Sequence, residues 1–342
     1  METRNLTFLF CLTKRAYPDM ADSPISDFLE QNFLHFNARE TLDAAKAYNQ
    51  HLADGGKMLV SLGGAMSTAE LGISLARMIR EDKVHAISCT GANLEEDVFN
   101  LVAHDDYHIV SNYRDLSPEA ETQLLEKGFN RVTDTCIPES VMRHIEDNFM
   151  NVCSRLANSG DSMFPFEVFY ELFETGVLEP HFQIPPEHCW MLAAYEKKIP
   201  VYSPGWEDST LGNIFAARVI ENKISSHAAL KSGTQQMEHL VNWYLETEAE
   251  SSIGFFQIAG GIAGDFAICA VPTIIQDLKK DIRLWGYFAQ ISDSTTSYGS
   301  YSGAVPNEKI TWCKISADTP RFMINSDASI VAPLIFAYVL GD

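Results

Sequence analysis

From Lys57 onward, short apolar segments rich in Val, Ile and Phe are followed by small-residue turns and then by segments of helical period. This order is compatible with few folds. It is typical of βαβ units, in which a crossover helix joins two parallel strands. It predicts an α/β fold with a doubly wound, mostly parallel Rossmann-like sheet, helices on both faces and a helical N-terminal segment. The strand-like segments are residues 58–63, 84–89, 199–204, 253–261, 284–292, 311–316 and 321–327.

Residues from about 112 to 200 are predicted to be mostly helical, because their segments begin at or near prolines, which suit the first turn of a helix. No internal repeat or low-complexity linker interrupts the chain. We therefore expect a single domain over residues 20–342, with two domains divided near 150–195 as the alternative. Met20 opens a more conventional start than Met1, so residues 1–19 are interpreted as an upstream extension or a flexible arm.

The net charge excludes some classes of function. The 342 residues contain 46 acidic and 25 basic side chains, for a net charge of −21, and this argues against a general nucleic-acid binder. No run approaches the ~20 apolar residues of a membrane span. Seven cysteines without a C-x-x-C pair favour a reduced, cytoplasmic protein, and no metal site is predicted, with His104 and His108 interpreted as part of a solvated acidic helix end.

The loops after the predicted strands are the expected ligand positions, because doubly wound sheets bind ligands beyond the carboxyl ends of their strands. These loops are SLGGAMSTAE, CTGANLEED, SPGWEDSTLGN, AGGIAGD and ISDSTTSYGSYSG. Small residues let backbone amides approach a pyrophosphate, and a carboxylate can bind a ribose diol. No loop matches G-x-G-x-x-G, and each alone is typical of a turn, but the five together favour a nucleotide site.

Lys314 is the candidate for covalent chemistry. Period-2 alternation in the apolar run 310–315 places it on the same strand face as Ile310 and Trp312. A lysine beside a tryptophan in a partly desolvated pocket can act as a nucleophilic amine and form a Schiff base. The alternative is an edge-strand lysine whose ammonium reaches solvent.

One string carries a family resemblance. SGAVPNEKITWCKI (302–315) resembles the S-G-A-x-P-D-E-A-V-S-W-G-K-I segment of the deoxyhypusine synthase family, and the family's nucleophilic lysine falls on Lys314. Three further strings resemble family segments in the same order and spacing: TGANLEED (90–97), PVYSPGWEDSTLGN (200–213) and NSDASIVAPL (325–334). The resemblance covers about residues 57–340.

The resemblance implies an NAD-dependent transferase of aminobutyl groups. Such an enzyme acts on spermidine, putrescine or a related polyamine through a lysine imine, in a homotetramer with sites at subunit interfaces. By matching position, Lys314 would carry the imine, Glu308 would bind an ammonium end of the substrate and Trp312 would pack on the amine chain. The dinucleotide would contact Thr90, Gly91, Glu96, Asp208, Gly260, Gly261, Asp327 and Ala328.

The departures from the family pattern lie at the substrate positions. Asp265 replaces a histidine credited with polyamine binding, Asn213 replaces a substrate-binding aspartate, and Ser300 or Tyr301 replaces another acidic residue. This pattern favours a paralogue that joins another amine pair, as in homospermidine-type synthesis. The alternatives are a true deoxyhypusine synthase that modifies a translation-factor lysine and a catalytically silent NAD-binding scaffold.

Overall fold

Six parallel strands form the central sheet of the computed structural model, which describes residues 23–296 and 299–342. The predicted extension at residues 1–19 lies outside these ranges. In chain order the strands are β1 (Lys57–Leu62), β2 (Ala86–Cys89), β3 (His108–Ile109), β4 (Phe129–Val132), β5 (Thr135–Pro138), β6 (Val201–Tyr202), β7 (Ile253–Ile258), β8 (Tyr287–Ser292) and β9 (Arg321–Asn325). The central sheet has the order β6-β2-β1-β7-β8-β9, which confirms the predicted α/β fold with a parallel sheet.

Helices follow most strands and also form the N-terminal segment, as predicted. They are α1 (Pro24–Asn32), α2 (Phe36–Ala53), α3 (Gly72–Arg80), α4 (Gly91–Ala103), α5 (Pro118–Glu126), α6 (Val141–Ser159), α7 (Pro165–Glu174), α8 (Trp190–Lys197), α9 (Thr210–Ile220), α10 (Gly233–Glu248), α11 (Ile262–Ile268), α12 (Ala270–Pro272), α13 (Glu308–Thr311) and α14 (Ala328–Leu340).

Both faces of the central sheet are buried beneath helices. Val60 of β1 packs in one core with Tyr48 of α2 and Phe336 of α14. Its neighbour Leu59 points to the opposite face and packs with Tyr244 of α10. Two-sided burial explains why the strands are nearly continuous apolar runs in the sequence.

The helices between residues 141 and 197 contribute to the same core as β1. Phe149, Phe169 and Trp190 are buried there together with Val60. Because a domain is defined by its own hydrophobic core, we propose that the residues described by the structure form one domain rather than two.

The chain reverses its direction of travel across the sheet between β1 and β7. The strands β2 and β6 lie on one side of β1, whereas β7, β8 and β9 lie on the other. The backbone amide of Gly63, directly after β1, donates to the carbonyl of Ile258 at the end of β7 (2.9 Å). The carboxyl ends of the central strands therefore meet at one edge with a switch point at its centre, where α/β folds bind ligands.

Residues 112–200 are mostly helical, as predicted. The strands β4 and β5 are the exception in this region, and β5 also pairs with β3, so the three form a separate antiparallel sheet that the prediction does not include. A two-residue turn at Thr133 and Asp134 joins β4 to β5, with Thr133 in the left-handed region at φ 51°. This turn lacks the glycine that usually marks a hairpin in a sequence, so the strand pair carries no strong signal.

The prediction of a strand at residues 311–316 is also wrong. The chain forms the short helix α13, and Cys313 then takes a left-handed conformation at φ 56°. The amide of Lys314 donates to the carbonyl of Lys309 (3.0 Å), and the amide of Cys313 donates to that of Ile310 (3.1 Å). These two bonds form a Schellman motif, which ends a helix and turns the chain away from it.

Candidate active site

The loops that follow β1, β2, β6, β7 and β9 form what we call the carboxyl edge. Thr90 caps α4 by accepting a hydrogen bond from the amide of Asn93 (3.2 Å). The Asn93 side chain in turn donates to the carbonyl of Gly64 after β1 (2.7 Å). The start of α4 is therefore tied to the neighbouring loop by side-chain bonds.

Two of the predicted glycines allow loops to approach one another closely. A Cβ atom on Gly91 would lie 2.8 Å from the carbonyl oxygen of Trp206, in the turn that carries Asp208. A Cβ atom on Gly260 would lie 1.8 Å from the Oγ of Ser302. Gly261 has φ 73° and open space beside it, so it provides the left-handed turn that leads into α11.

Glu96 on α4 has an oxygen without a hydrogen-bond partner. Its Oε2 is buried and accepts no hydrogen bond from the described residues. Burial, reinforced by the charge of Glu95, raises the pKa of Glu96 to about 7. Glu95 differs, because its oxygens accept the amides of Thr210 (2.7 Å) and Leu211 (2.8 Å) at the start of α9. Glu96 therefore has capacity left for a ligand that donates hydrogen bonds.

Asp327 caps α14 at the end of β9. Its Oδ1 accepts bonds from the amide (2.8 Å) and the hydroxyl (2.7 Å) of Ser329, and Ala328 is the first residue of the helix. Asp327 also lines a cavity of about 590 Å³ together with Thr68, whose amide forms a hydrogen bond with Glu96. Glu96 therefore lies beside the cavity that Asp327 lines, and the binding of one dinucleotide by both residues stays a prediction.

Lys314 lies in a second cavity, of about 380 Å³, whose lining includes Asp265, Cys269, Tyr301, Lys309, Trp312 and Lys314. We call it the lysine cavity. Lys314 is only 6% exposed, and its Nζ lies 3.1 Å from Oδ1 of Asp265. The rings of Tyr301 and Trp312 have their centroids 5.5 and 5.9 Å from the same ammonium. The structure therefore brings together four of the predicted residues: Lys314, Asp265, Trp312 and Glu308.

Glu308 and Trp312 are the exposed members of this lining. Trp312 is 63% exposed, and Glu308 begins α13 with its side chain open to solvent. Both residues line the cavity and leave an indole and a carboxylate accessible to an incoming amine. An indole face and a carboxylate are groups that attract ammonium ions.

The tyrosine at the alternative alignment position also lines the cavity. Tyr301 donates from its hydroxyl to the side-chain oxygen of Gln257 (2.8 Å). Burial raises the pKa of Tyr301 well above its ordinary value, so the side chain stays uncharged where it lines the cavity. Ser300, the other alternative, lines the same cavity.

Asn213 is not among the residues that line the lysine cavity. Its side-chain amide donates to the carbonyls of Glu207 (2.6 Å) and Ser209 (2.8 Å) in the turn before α9. These bonds fix the turn that carries Asp208. Its predicted contact with substrate stays a prediction.

Lys309 is a cavity residue that the sequence reasoning missed. It is 2% exposed and lines the cavity beside Lys314. Burial and the nearby charge of Lys314 lower the pKa of Lys309 to about 8. The family segment has alanine at this position, and this difference in sequence could have indicated that Lys309 has a role in the cavity.

A family model described as deoxyhypusine synthase matches residues 30–339. The chain belongs to the deoxyhypusine synthase family. It is 28% identical to a deoxyhypusine synthase-like protein from a Nostoc species over 95% of this chain and 83% of that protein. It is 24% identical to the probable deoxyhypusine synthase 1 of Archaeoglobus fulgidus over 89% of this chain and 90% of that protein.

A solved structure supports the fold. The crystal structure of a candidate deoxyhypusine synthase from Entamoeba histolytica matches with a TM-score of 0.55 and 12% identity, over 91% of this chain and 89% of that chain. At this identity the likeness shows the fold alone. In the part of the chain that the structure describes, no helix combines the length and apolar character needed to cross a bilayer.

Members of the deoxyhypusine synthase family are transferases that use NAD and act on polyamines such as spermidine. The lysine cavity contains the groups that imine chemistry needs: a buried amine, a carboxylate beside it and aromatic walls. The carboxyl edge contains a buried carboxylate with an unused oxygen.

Proposed function

We propose that this protein is an NAD-dependent transferase that moves an aminobutyl or related alkyl group between small amines through an imine on Lys314. The observation that carries the proposal is the Lys314–Asp265 pair, in which a buried ammonium lies 3.1 Å from a carboxylate inside a cavity. Membership of the deoxyhypusine synthase family supports it.

The pair provides a route for the proton that Lys314 must lose before it can act as a nucleophile. Oδ1 of Asp265 takes that proton, and the neutral Nζ attacks the imine carbon of the donor. The nitrogen of the donor leaves as an amine, so the alkyl group is held on Lys314. The acceptor amine then attacks the same carbon, and Nζ departs and regains its proton from Asp265.

The cavity walls protect this intermediate. Tyr301 and Trp312 lie beside the ammonium of Lys314, and apolar surface near an imine excludes the water that would hydrolyse it. Trp312 is the more exposed of the two rings, so it would pack on the amine chain as the substrate enters.

The residues at the carboxyl edge fit a dinucleotide. The unused Oε2 of Glu96 suits a hydrogen-bond donor such as a ribose hydroxyl. Gly261 leaves open space at the start of α11, and Thr90 and Asp327 begin two further helices. When bound, NAD would accept a hydride from the carbon next to the donor nitrogen and return it at the end, so the transfer is redox-neutral overall.

Asp265 favours a small acceptor over a protein lysine. It occupies the position of the family's polyamine-binding histidine and pairs directly with Lys314, so the residues that bind the amine differ from the family pattern. This difference in the amine-binding residues supports homospermidine-type synthesis, or a similar joining of two small amines.

Borohydride trapping tests the proposal. The protein is incubated with NAD and either spermidine or 1,4-diaminobutane, reduced with borohydride and digested for mass spectrometry. We expect a reduced alkyl adduct on Lys314 that requires both NAD and the amine. Lys231, which also pairs with a carboxylate (Glu167, 3.5 Å), serves as an internal control and should stay unmodified. An unmodified Lys314 with a broad panel of amines would contradict the mechanism and favour a silent NAD-binding scaffold.

A further inference from the structure

Lys309 is a buried cation whose ammonium makes few polar contacts. It is 2% exposed, and among the described residues its Nζ makes one hydrogen bond, of 3.4 Å, to the carbonyl of Ala304. Its other close neighbours are the rings of Phe288 and Tyr301, with centroids at 4.9 and 5.0 Å. An ammonium has three donor hydrogens, so this arrangement leaves most of its bonding capacity unused.

The carboxylate that could neutralise it is already engaged. Asp265 is within ion-pair distance of Lys314, and no carboxylate of the described residues is within that distance of Lys309. Glu308 also acts on Lys309 through its charge, but its side chain lies at the exposed side of the cavity. Among the described residues, the lysine cavity therefore holds two buried ammonium groups and one carboxylate that is paired with either of them.

A buried ammonium without an anion is unfavourable, and a ligand carboxylate would relieve that cost. A second ammonium would increase it, because like charges repel strongly where solvent is excluded. An aliphatic polyamine, which carries positive charge along its whole chain, is therefore poorly matched to the region around Lys309. An amine that also carries a carboxylate matches Lys309 with its anion and Glu308 with its ammonium.

The geometry points to a carboxylate subsite at Lys309, so that one of the amines taken up in the lysine cavity is an amino acid rather than a simple polyamine. This inference rests on the proposed function, since it names the substrate class of the same cavity. It makes Lys309 a specificity-determining residue, and the chemistry at Lys314 is unchanged.

Two probes that differ only in the carboxylate test the subsite: 2,5-diaminopentanoate and 1,4-diaminobutane. Their affinities for the full chain are measured by calorimetry at pH 7 without added NAD, so that binding is observed without turnover. We expect the carboxylated diamine to bind at least tenfold more tightly. In Lys309→Met its affinity should fall by roughly 10- to 100-fold, the range for a lost charge-assisted hydrogen bond. The plain diamine should bind more tightly to that variant, because a repelling charge is gone.

Two further variants separate recognition from folding. Lys309→Arg keeps the positive charge and should keep the preference for the carboxylated probe. Lys231→Met removes a lysine that lies over the ring of Phe164 outside the cavity (4.1 Å) and should leave both affinities unchanged. If Lys309→Met does not fold, the preference of the wild type and of Lys309→Arg still decides the question.

The inference is overturned if the wild type binds the plain diamine as tightly as the carboxylated one, if Lys309→Met keeps the wild-type preference, or if neither probe binds at millimolar concentration. The proposed function fails by a different result, the absence of a borohydride adduct on Lys314. A carboxylate preference without an adduct would uphold the subsite and reject the imine mechanism.

Discussion

The lysine cavity and the carboxyl edge use their polar groups in opposite ways. At the edge, Thr90 and Asp327 accept bonds from the first turns of the helices that they cap. In the cavity, Lys309 has one long bond to a carbonyl, and the ammonium of Lys314 is held by a carboxylate that is itself half exposed. The edge residues therefore contribute to the stability of the fold, whereas the cavity residues have few structural partners.

This difference indicates which residues can be substituted without loss of the fold. A capping residue at the edge resists substitution, because loss of a cap costs about 1 kcal/mol of stability. Cavity residues such as Asp265 can be exchanged with less effect on folding, and the departures from the family pattern at Asp265 and Lys309 lie there. Substitutions in the cavity should therefore change catalysis more than stability, whereas substitution of the edge caps Thr90 and Asp327 should also reduce stability.

The largest effect is expected from Lys314→Met. The variant keeps the length of the side chain and removes the nucleophile, so transfer should fall at least about 1,000-fold. Product formation from a mixed amine pool with NAD, followed by mass spectrometry, measures the loss. Lys231→Met is the matched control, because it removes another partly buried and ion-paired lysine. Near-normal turnover in Lys314→Met would place the chemistry elsewhere.

Asp265→Asn should have the next largest effect. The amide cannot take the proton that Lys314 must lose, so kcat should fall by roughly 100-fold, within the range for loss of a general base. The melting temperature should fall only modestly, because Asp265 is half exposed and the amide oxygen of asparagine can still accept a hydrogen bond from Lys314. The pH–rate profile is the deciding measurement: the variant should recover activity as pH rises, since hydroxide can then deprotonate the lysine. A large stability loss with an unchanged profile would assign Asp265 a structural role.

The fold was largely predictable because parallel strands leave a strong pattern. Buried runs followed by helical periods identified all six strands of the central sheet, and the helix at Ala328 begins where expected. The small antiparallel sheet was not predictable in the same way. Its hairpin turns at Thr133 and Asp134 without a glycine, and its strands are short.

The lysine cavity was only partly predictable, because Lys314 follows the end of the short helix α13 and does not lie in the strand that the apolar alternation predicts. Alternation in a strand would place Lys309 and Lys314 on opposite faces. The Schellman turn at Cys313 instead folds the chain back, and both lysines line one cavity. The residue that gives this turn is a cysteine rather than the usual glycine, so the sequence did not mark the end of the helix.

At the carboxyl edge, Glu96→Gln should change how stability depends on pH. The pKa of Glu96 is about 7 in the folded state, above the ordinary 4.5 expected when unfolded. Between these values the folded state binds the proton more tightly, so the free energy of unfolding falls as pH rises from about 4.5 to about 7. Glutamine cannot ionise, so Glu96→Gln does not lose stability in this way as pH rises. The variant should be more stable than the wild type by roughly 1 to 3 kcal/mol at pH 8, and the two should be equally stable at pH 4.5.

Urea unfolding at the two pH values measures this effect. Part of the pH dependence should remain in the variant, because burial also raises the pKa of Asp97 to about 7. Glu238→Gln, on the exposed side of α10, is the control and should change neither value. An equal stability change for Glu96→Gln at both pH values would show that the side chain acts by packing rather than by its charge.

The smallest effect is expected from Cys313→Gly, beside the cavity. Cys313 has φ 56°, in the left-handed region that costs a residue with a Cβ atom about 1 kcal/mol and costs glycine almost nothing. Relief of this backbone strain stabilises the variant. Glycine also makes the unfolded chain more flexible, which offsets part of the stabilisation, so we expect a net increase of about 0.5 kcal/mol in the free energy of unfolding, measured in urea. Cys269→Gly, at a helical position with φ −75°, should be destabilising instead. If Cys313→Gly also destabilises the protein, the thiol contributes packing that outweighs the backbone strain, and the turn that orients Lys314 depends on the side chain as well as on the Schellman bonds.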